Sequence, residues 1–356
     1  MTLLDRYVAR AIVLHFALAL GGFVLIFSVI AFMEEMRSVG DGSYDLAAAA
    51  WFVLLRLPAE AFELFPGAAL VGCVMGLGAL AGRGELVAMH ACGVSYLRLA
   101  RSVLQTAAVA GAVMLLFAEL VAAPLARSAH VLRADAVSDG AALASASGLW
   151  TRANGAFVNV RTPMSDGTLR DVFLYEFDDR HRLQRYTHAR DGVFDGAAWR
   201  LEDVTATTLH EDGLDVRHLD RLPWDGLPLP RGVQTMLLPA EDIALADLRA
   251  TIATLGAQRL LTHRYELAFW KRLTTPAIAL AMMLVAMPLV LGSIGDRQGR
   301  RGGAIVVAAL AGVGFQMLNQ TFGTFAVVYR IPPLLGAVAP GAAALAVGLW
   351  WFRRLR

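Results

Sequence analysis

Lysine is almost absent from this 356-residue chain: of its 32 basic residues only Lys271 is a lysine. A nucleotide-binding P-loop needs a lysine within GxxxxGKS/T to reach the β- and γ-phosphates. Lys271 stands in Phe269-Trp270-Lys271-Arg272, with no glycine-rich approach and no Ser or Thr after it, so the chain does not hydrolyse ATP by that route. Cysteine is scarce too. Cys73 and Cys92 lie within or beside apolar segments and the polar central region has none, so no structural disulfide is expected. Charged residues make up 17% of the chain against 57% hydrophobic, which excludes a soluble protein of ordinary composition. Catalytic patterns such as GxSxG and HExxH are missing, and His181, His188, His210 and His218 lack ligand spacing, so no enzyme activity, metal or cofactor is assigned to the chain. The net charge of +2 marks no nucleic-acid partner.

What the chain has instead is six long apolar runs. A bilayer core of roughly 30 Å needs about 20 apolar residues in helix, and the runs 11–33, 64–82, 103–124, 273–295, 302–329 and 331–352 meet that need. Arginine sets their direction. One set of ends carries Arg6, Arg10, Arg83, Arg98, Arg101, Arg297, Arg300, Arg301, Arg353, Arg354 and Arg356 against Asp5, Glu85 and Asp296. The opposite set carries Glu34, Glu35, Asp41 and Asp45 against Arg37, with Arg330 in the last loop. By the positive-inside rule both termini are cytoplasmic and the central region is outside. Asp5, Arg6 and Arg10 precede the first run and no small-residue cleavage site follows it, so that run reads as a retained anchor. Arg56, Pro58, Glu60 and Glu63 interrupt residues 47–63, which predicts a short interfacial helix turning at Pro58 into the second span.

Residues 127–250 hold 14 arginines and 19 carboxylates, so this stretch faces water as a separate domain. Residues 156–160, 172–177 and 199–204 read as strands, separated by turn signals at Ser165-Asp166-Gly167, Asp178-Asp179, Asp195-Gly196 and Glu211-Asp212-Gly213. They predict an antiparallel sandwich or jelly roll over roughly 148–238. Helical patterns flank it at 126–140 and 243–256. The expected division is a first transmembrane half at 1–126, the β domain with its flanking helices at 127–258, and a second transmembrane half at 259–356.

Three places invite a functional reading. Arg83-Gly84-Glu85-Leu86-Val87-Ala88-Met89-His90-Ala91-Cys92-Gly93 predicts a short cytoplasmic helix with an acidic start and a glycine stop. Glu85 there either docks a partner or only favours its own helix N-terminus. Arg37, at the outer end of the first span, either meets an anionic headgroup, pairs with Glu34 or is solvated. His15 and Glu119 are ionisable residues near span ends, where snorkelling makes their cost small.

Four segments carry a family resemblance: Leu4-Asp5-Arg6-Tyr7, Gly42-Ser43-Tyr44-Asp45, Glu85-Leu86-Val87 with Met89 and Gly93, and Tyr329-Arg330-Ile331-Pro332-Pro333. In this order, with three spans, a β domain and three spans, the chain resembles the LptF/LptG permease family of lipopolysaccharide export in Gram-negative bacteria. Gly42-Ser43-Tyr44-Asp45 and Ile331-Pro332-Pro333 favour the LptG side of the family, whereas Met89-His90-Ala91-Cys92-Gly93 also looks like LptF.

The resemblance implies an inner-membrane α-helical protein with an inserted periplasmic antiparallel β-jellyroll, whose hydrophobic groove accepts acyl chains. It implies an LptF-type permease as twin, two LptB ATPase subunits that bind ATP and Mg, LptC alongside, and the periplasmic bridge protein LptA indirectly. Residues 84–93 would be the coupling helix, through Glu85, Leu86, Met89 and Gly93. Arg37 would meet lipopolysaccharide; Ala31 and Ser38 occupy other positions where the family carries bases. A secondary lipid transporter is the other class considered. It would carry charged residues in broken midplane helices, which the last three spans do not have.

Overall fold

A computed structural model describes residues 3–138, 148–153, 156–164, 167–178, 182–196, 198–210, 213–224, 238–257, 261–292 and 299–354. The elements run α1 (Leu3–Glu35), α2 (Leu46–Gly82), α3 (Glu85–Ala91), α4 (Tyr96–Phe117), a π-helical turn (Ala118–Ala122) and α5 (Ala123–Ser138). Strands β1 (Leu149–Ala153), β2 (Ala156–Pro163), β3 (Leu169–Phe177), β4 (Leu183–Phe194), β5 (Trp199–His210) and β6 (Gly213–Trp224) follow. Helices α6 (Leu245–Ala257), α7 (His263–Leu291), α8 (Gly299–Val328) and α9 (Pro333–Arg354) close the chain. Among the described residues six helical segments are long and apolar enough to cross a membrane, at Leu3–Ser38, Leu46–Gly82, Tyr96–Val137, His263–Leu291, Ile305–Val328 and Pro333–Trp351. Six spans and an inserted antiparallel sheet agree with the expected fold class.

Two compact units result. One comprises residues 1–31, 56–124 and 266–356; the other comprises 32–55 and 125–265.

In the first unit α2 is the central helix. Its apolar window is 83% buried, against 6% for the first span. Small residues make this possible, because lipid gives no hydrophobic drive between helices and close backbone approach must supply the contact. Gly72 and Gly76 lie one turn apart, and a Cβ on Gly72 would come within 2.3 Å of the Phe16 backbone while one on Gly76 would meet Ile12 at 2.9 Å. Phe16 then packs edge-on against Phe65, ring centres 5.4 Å apart. Gly72→Val is therefore expected to part α1 from α2 and cost at least the roughly 1–3 kcal/mol of core overpacking. A thermal midpoint in detergent equal to that of the parent chain would refute this.

The break expected at Pro58 is not there: α2 runs unbroken for 37 residues with Pro58 and Pro66 inside it. Each ring removes one backbone donor, which a spanning helix tolerates where its neighbours re-satisfy the freed groups. The charged residues that suggested an interface, Arg56, Glu60 and Glu63, recur every three or four positions and so share one face. At Glu63 that face meets polar groups within the bundle. Its Oε1 accepts from Gln320 Nε2 at 2.9 Å and Gln316 Nε2 at 3.3 Å.

In the second unit the six strands form one antiparallel sheet in sequential order, β1 to β6. The crossover that distinguishes a jelly roll from this meander is not among the described strands. One face is apolar and buried, with Val158, Val160, Leu174, Ala189, Leu201 and Trp199 in one core. The other carries an aromatic row in which Trp150 stacks on Tyr175 and Phe173 stacks on Tyr186 and His188. Trp150 stays half exposed. Asp171 of β3 and Asp203 of β5 take positive φ, a conformation short Asp side chains tolerate. Of the turn signals, residues 165–166, 179 and 211–212 lie outside the described residues, as do residues 297 and 356 of the cytoplasmic arginine set.

Candidate functional site: the short helix between the second and third spans

The expected short helix exists as α3, seven residues from Glu85 to Ala91. Glycines bound it. Gly84 precedes it at φ +77° and Gly93 follows at φ +86°, both left-handed values that a side chain would strain. Gly93 also donates its N–H to the His90 carbonyl at 2.9 Å, closing the turn into the third span.

The sequence-predicted residues divide between two sides of this helix. Leu86 is 5% exposed and belongs to the core built by α1, α2, α4, α7 and α8, and Met89 packs against the same core. They anchor the helix. Val87, Ala88, His90 and Ala91 face outward. Glu85 is three-quarters covered, with Arg83 Nη1 at 3.9 Å. The Tyr7 hydroxyl of α1 donates to Glu85 Oε2 at 2.8 Å. Tyr7 had no role in the sequence reading; its only signal was membership of Leu4-Asp5-Arg6-Tyr7. His90 lies parallel on Tyr96, ring centres 4.5 Å apart, which pins the loop beyond α3. Next to it Cys92 is exposed, while Cys73 is sealed inside the bundle.

Arg37 sits in the 3-10 turn Met36–Ser38 that ends α1, exposed and without an ion pair among the described residues. Glu35, beside it, is instead committed to Arg133 of α5, whose Nη2 also donates to Ser38 Oγ at 3.0 Å. Tyr44 donates to the same Glu35 carboxylate at 3.0 Å. Burial first, and the Glu35 charge second, push the Tyr44 phenol well above its usual range, so it stays a donor. Asp45 accepts from Ala48 N–H at 2.8 Å and caps α2. The Gly42-Ser43-Tyr44-Asp45 segment is thus a turn that ties the start of α2 to Glu35 and to the Ala136 carbonyl of α5. Across α5, His130 is paired with Asp242 at 2.7 Å and meets Phe52 edge-on.

His15 and Glu119 behave differently from each other. The His15 ring bonds its own helix at the Ala11 carbonyl, 2.8 Å away. Glu119 does more than snorkel: Arg272 of α7, only 7% exposed, reaches its carboxylate. The same guanidinium donates to the Ala118 carbonyl at 2.8 Å and lies over Phe62. Lys271 beside it donates to the Asn319 carbonyl at 3.5 Å. Among the described residues no group of three or more His, Cys, Asp or Glu side chains is arranged to hold a metal.

Six helices long and apolar enough to span a membrane among the described residues, three before and three after an antiparallel sheet along the chain, with a short helix between the second and third, define a polytopic membrane protein. The chain belongs to the LptF/LptG family, lipopolysaccharide export system permeases, whose pattern it matches over residues 6–354. It is similar to the lipopolysaccharide export system permease protein LptG of Haemophilus influenzae, 32% identical over 351 residues, covering 98% of this chain and 97% of the relative. It is likewise similar to LptG of Escherichia coli K12, 30% identical over 354 residues, covering 99% and 98%.

Proposed function

We propose that this chain is the LptG-type permease of an ATP-driven exporter that extracts lipopolysaccharide from the inner membrane and passes it to a periplasmic bridge. The observation that carries this reading is the match along essentially the whole length of two LptG permeases. The halves 1–126 and 259–356 are its transmembrane parts, with cytoplasmic termini, and 127–258 is its periplasmic domain. An LptF-type permease is the twin, two LptB subunits bind ATP and Mg, LptC lies alongside, and LptA receives the lipid.

The first span is 6% buried and the fifth 22%, so both keep long apolar faces for a partner and for acyl chains. Those faces line a cavity with the twin permease. Arg37 stands at its outer rim with an uncommitted guanidinium, suited to a phosphate. The aromatic row of the sheet is the apolar surface that receives acyl chains on their way out. Work enters from below. LptB seats α3 through Glu85; Leu86 and Met89 carry the push into the bundle, and Tyr7 ties Glu85 to α1, the helix that lines the cavity.

Affinity purification of the chain in detergent from its own cells is expected to bring down a twin permease and an ATPase dimer; recovery of neither would end this reading. Arg37→Glu is expected to lower lipopolysaccharide crosslinking to the outer end of the first span severalfold. Unchanged crosslinking would remove Arg37 from the headgroup site.

A further inference from the structure

A groove of about 790 Å³ lies between α4, α7 and α9, on helices other than the two assigned above to the cavity. Its walls are apolar: Leu104 of α4, Leu280 and Leu284 of α7, and Leu349 of α9. Its mouth is not. Arg101 of α4 and Arg353 of α9 both line it, and both are exposed. Neither has an ion pair among the described residues. One turn along α4 from Arg101, Gln105 lines the groove with a buried Oε1 that has no hydrogen-bond partner among the described residues. Two helices thus bring one uncommitted guanidinium each to one opening over a greasy slot.

We infer that this groove binds an anionic glycerophospholipid, its phosphate between Arg101 and Arg353 and one acyl chain along Leu104, Leu280, Leu284 and Leu349. Basic pockets between spanning helices take anionic headgroups in this way, and the guanidinium fork matches phosphate oxygens bidentately. From Arg101 to Ala108 the wall is seven residues long, roughly 10 Å of membrane depth at 1.5 Å per residue. That covers the upper part of a single chain and leaves the rest in the bilayer, which suits a two-chain lipid and not the broad multi-acyl anchor of lipopolysaccharide. Gln105, at the depth of the glycerol, offers an acceptor to water or a hydroxyl that accompanies the headgroup. The leaflet concerned, though not the ligand chemistry, rests on the orientation proposed above.

The test uses the full chain in mixed micelles and reads its thermal midpoint as phosphatidylglycerol, phosphatidylcholine or lipid A is added at equal mole fraction. Phosphatidylglycerol is expected to raise the midpoint by several degrees and phosphatidylcholine not to. The double variant Arg101→Gln/Arg353→Gln should lose that response while keeping the parent midpoint in phosphatidylcholine, and Arg101→Lys/Arg353→Lys should keep most of it. Ala108→Trp, which fills the groove and leaves both arginines in place, should also lose it. An equal response to the two phospholipids, a response to lipid A alone, or a phosphatidylglycerol response that survives both the Gln pair and Ala108→Trp would overturn the assignment. None of these outcomes depends on whether the chain exports lipopolysaccharide.

Discussion

Arg272→Met is expected to destabilise the full chain by about 3–5 kcal/mol, the cost of leaving one half of a buried ion pair without the other. The Arg272 guanidinium is 7% exposed and its partner Glu119 22%. The same arginine also satisfies the Ala118 carbonyl, which the π-helical turn Ala118–Ala122 brings within its reach. Removing it takes the guanidinium from the Glu119 carboxylate and a second donor from the Ala118 carbonyl at once, in surroundings where water cannot replace the donor cheaply. Arg272→Met/Glu119→Leu should recover most of the loss, because an apolar pair of similar volume carries no desolvation debt. Thermal unfolding of both variants in detergent is the measurement; a single variant as stable as the parent chain would show the pair to be ornamental.

Glu85→Arg is expected to weaken ATPase association by about 30- to 1,000-fold, the factor for losing roughly 2–4 kcal/mol from a charged contact. Reversal also sets a second guanidinium beside Arg83 and takes the acceptor from Tyr7. Fold stability should barely change, since α3 is held by Leu86 and Met89 and not by its acid. Tyr7→Phe separates the two roles of Glu85. It keeps the charge and so should keep association, while uncoupling α3 from α1 and lowering lipopolysaccharide export. Normal export by Glu85→Arg would remove α3 from the coupling scheme; loss of association in Tyr7→Phe would mean that the hydroxyl serves docking instead.

The spans were readable because hydropathy is a local signal, and Gly84, Glu85 and Gly93 were readable because helix ends announce themselves within a turn. Long-range contacts were not. Arg56, Glu60 and Glu63 look like a break in a span until Gln316 and Gln320, some 250 residues on, are seen to meet Glu63. Arg272 sits at the edge of its apolar run, and nothing near it in sequence points to Glu119. Strands β4 and β6 escaped the reading because one bears Arg185, His188, Arg190 and Asp191 and the other Asp215, Arg217, His218, Asp220 and Arg221, charges that hide a two-residue period. In the candidate site, residue type located α3, but which side of it faces the core follows only from packing, and that turned Leu86 and Met89 into anchors.

The two thiols have a practical consequence. Cys73 is closed off by its neighbours and Cys92, the residue after α3, is open. The natural chain therefore presents a single reachable thiol, one residue beyond the helix whose docking most needs to be watched. A maleimide fluorophore or spin label placed there would report shielding of α3 by an ATPase, and its release during turnover, without a cysteine-free background having to be made first.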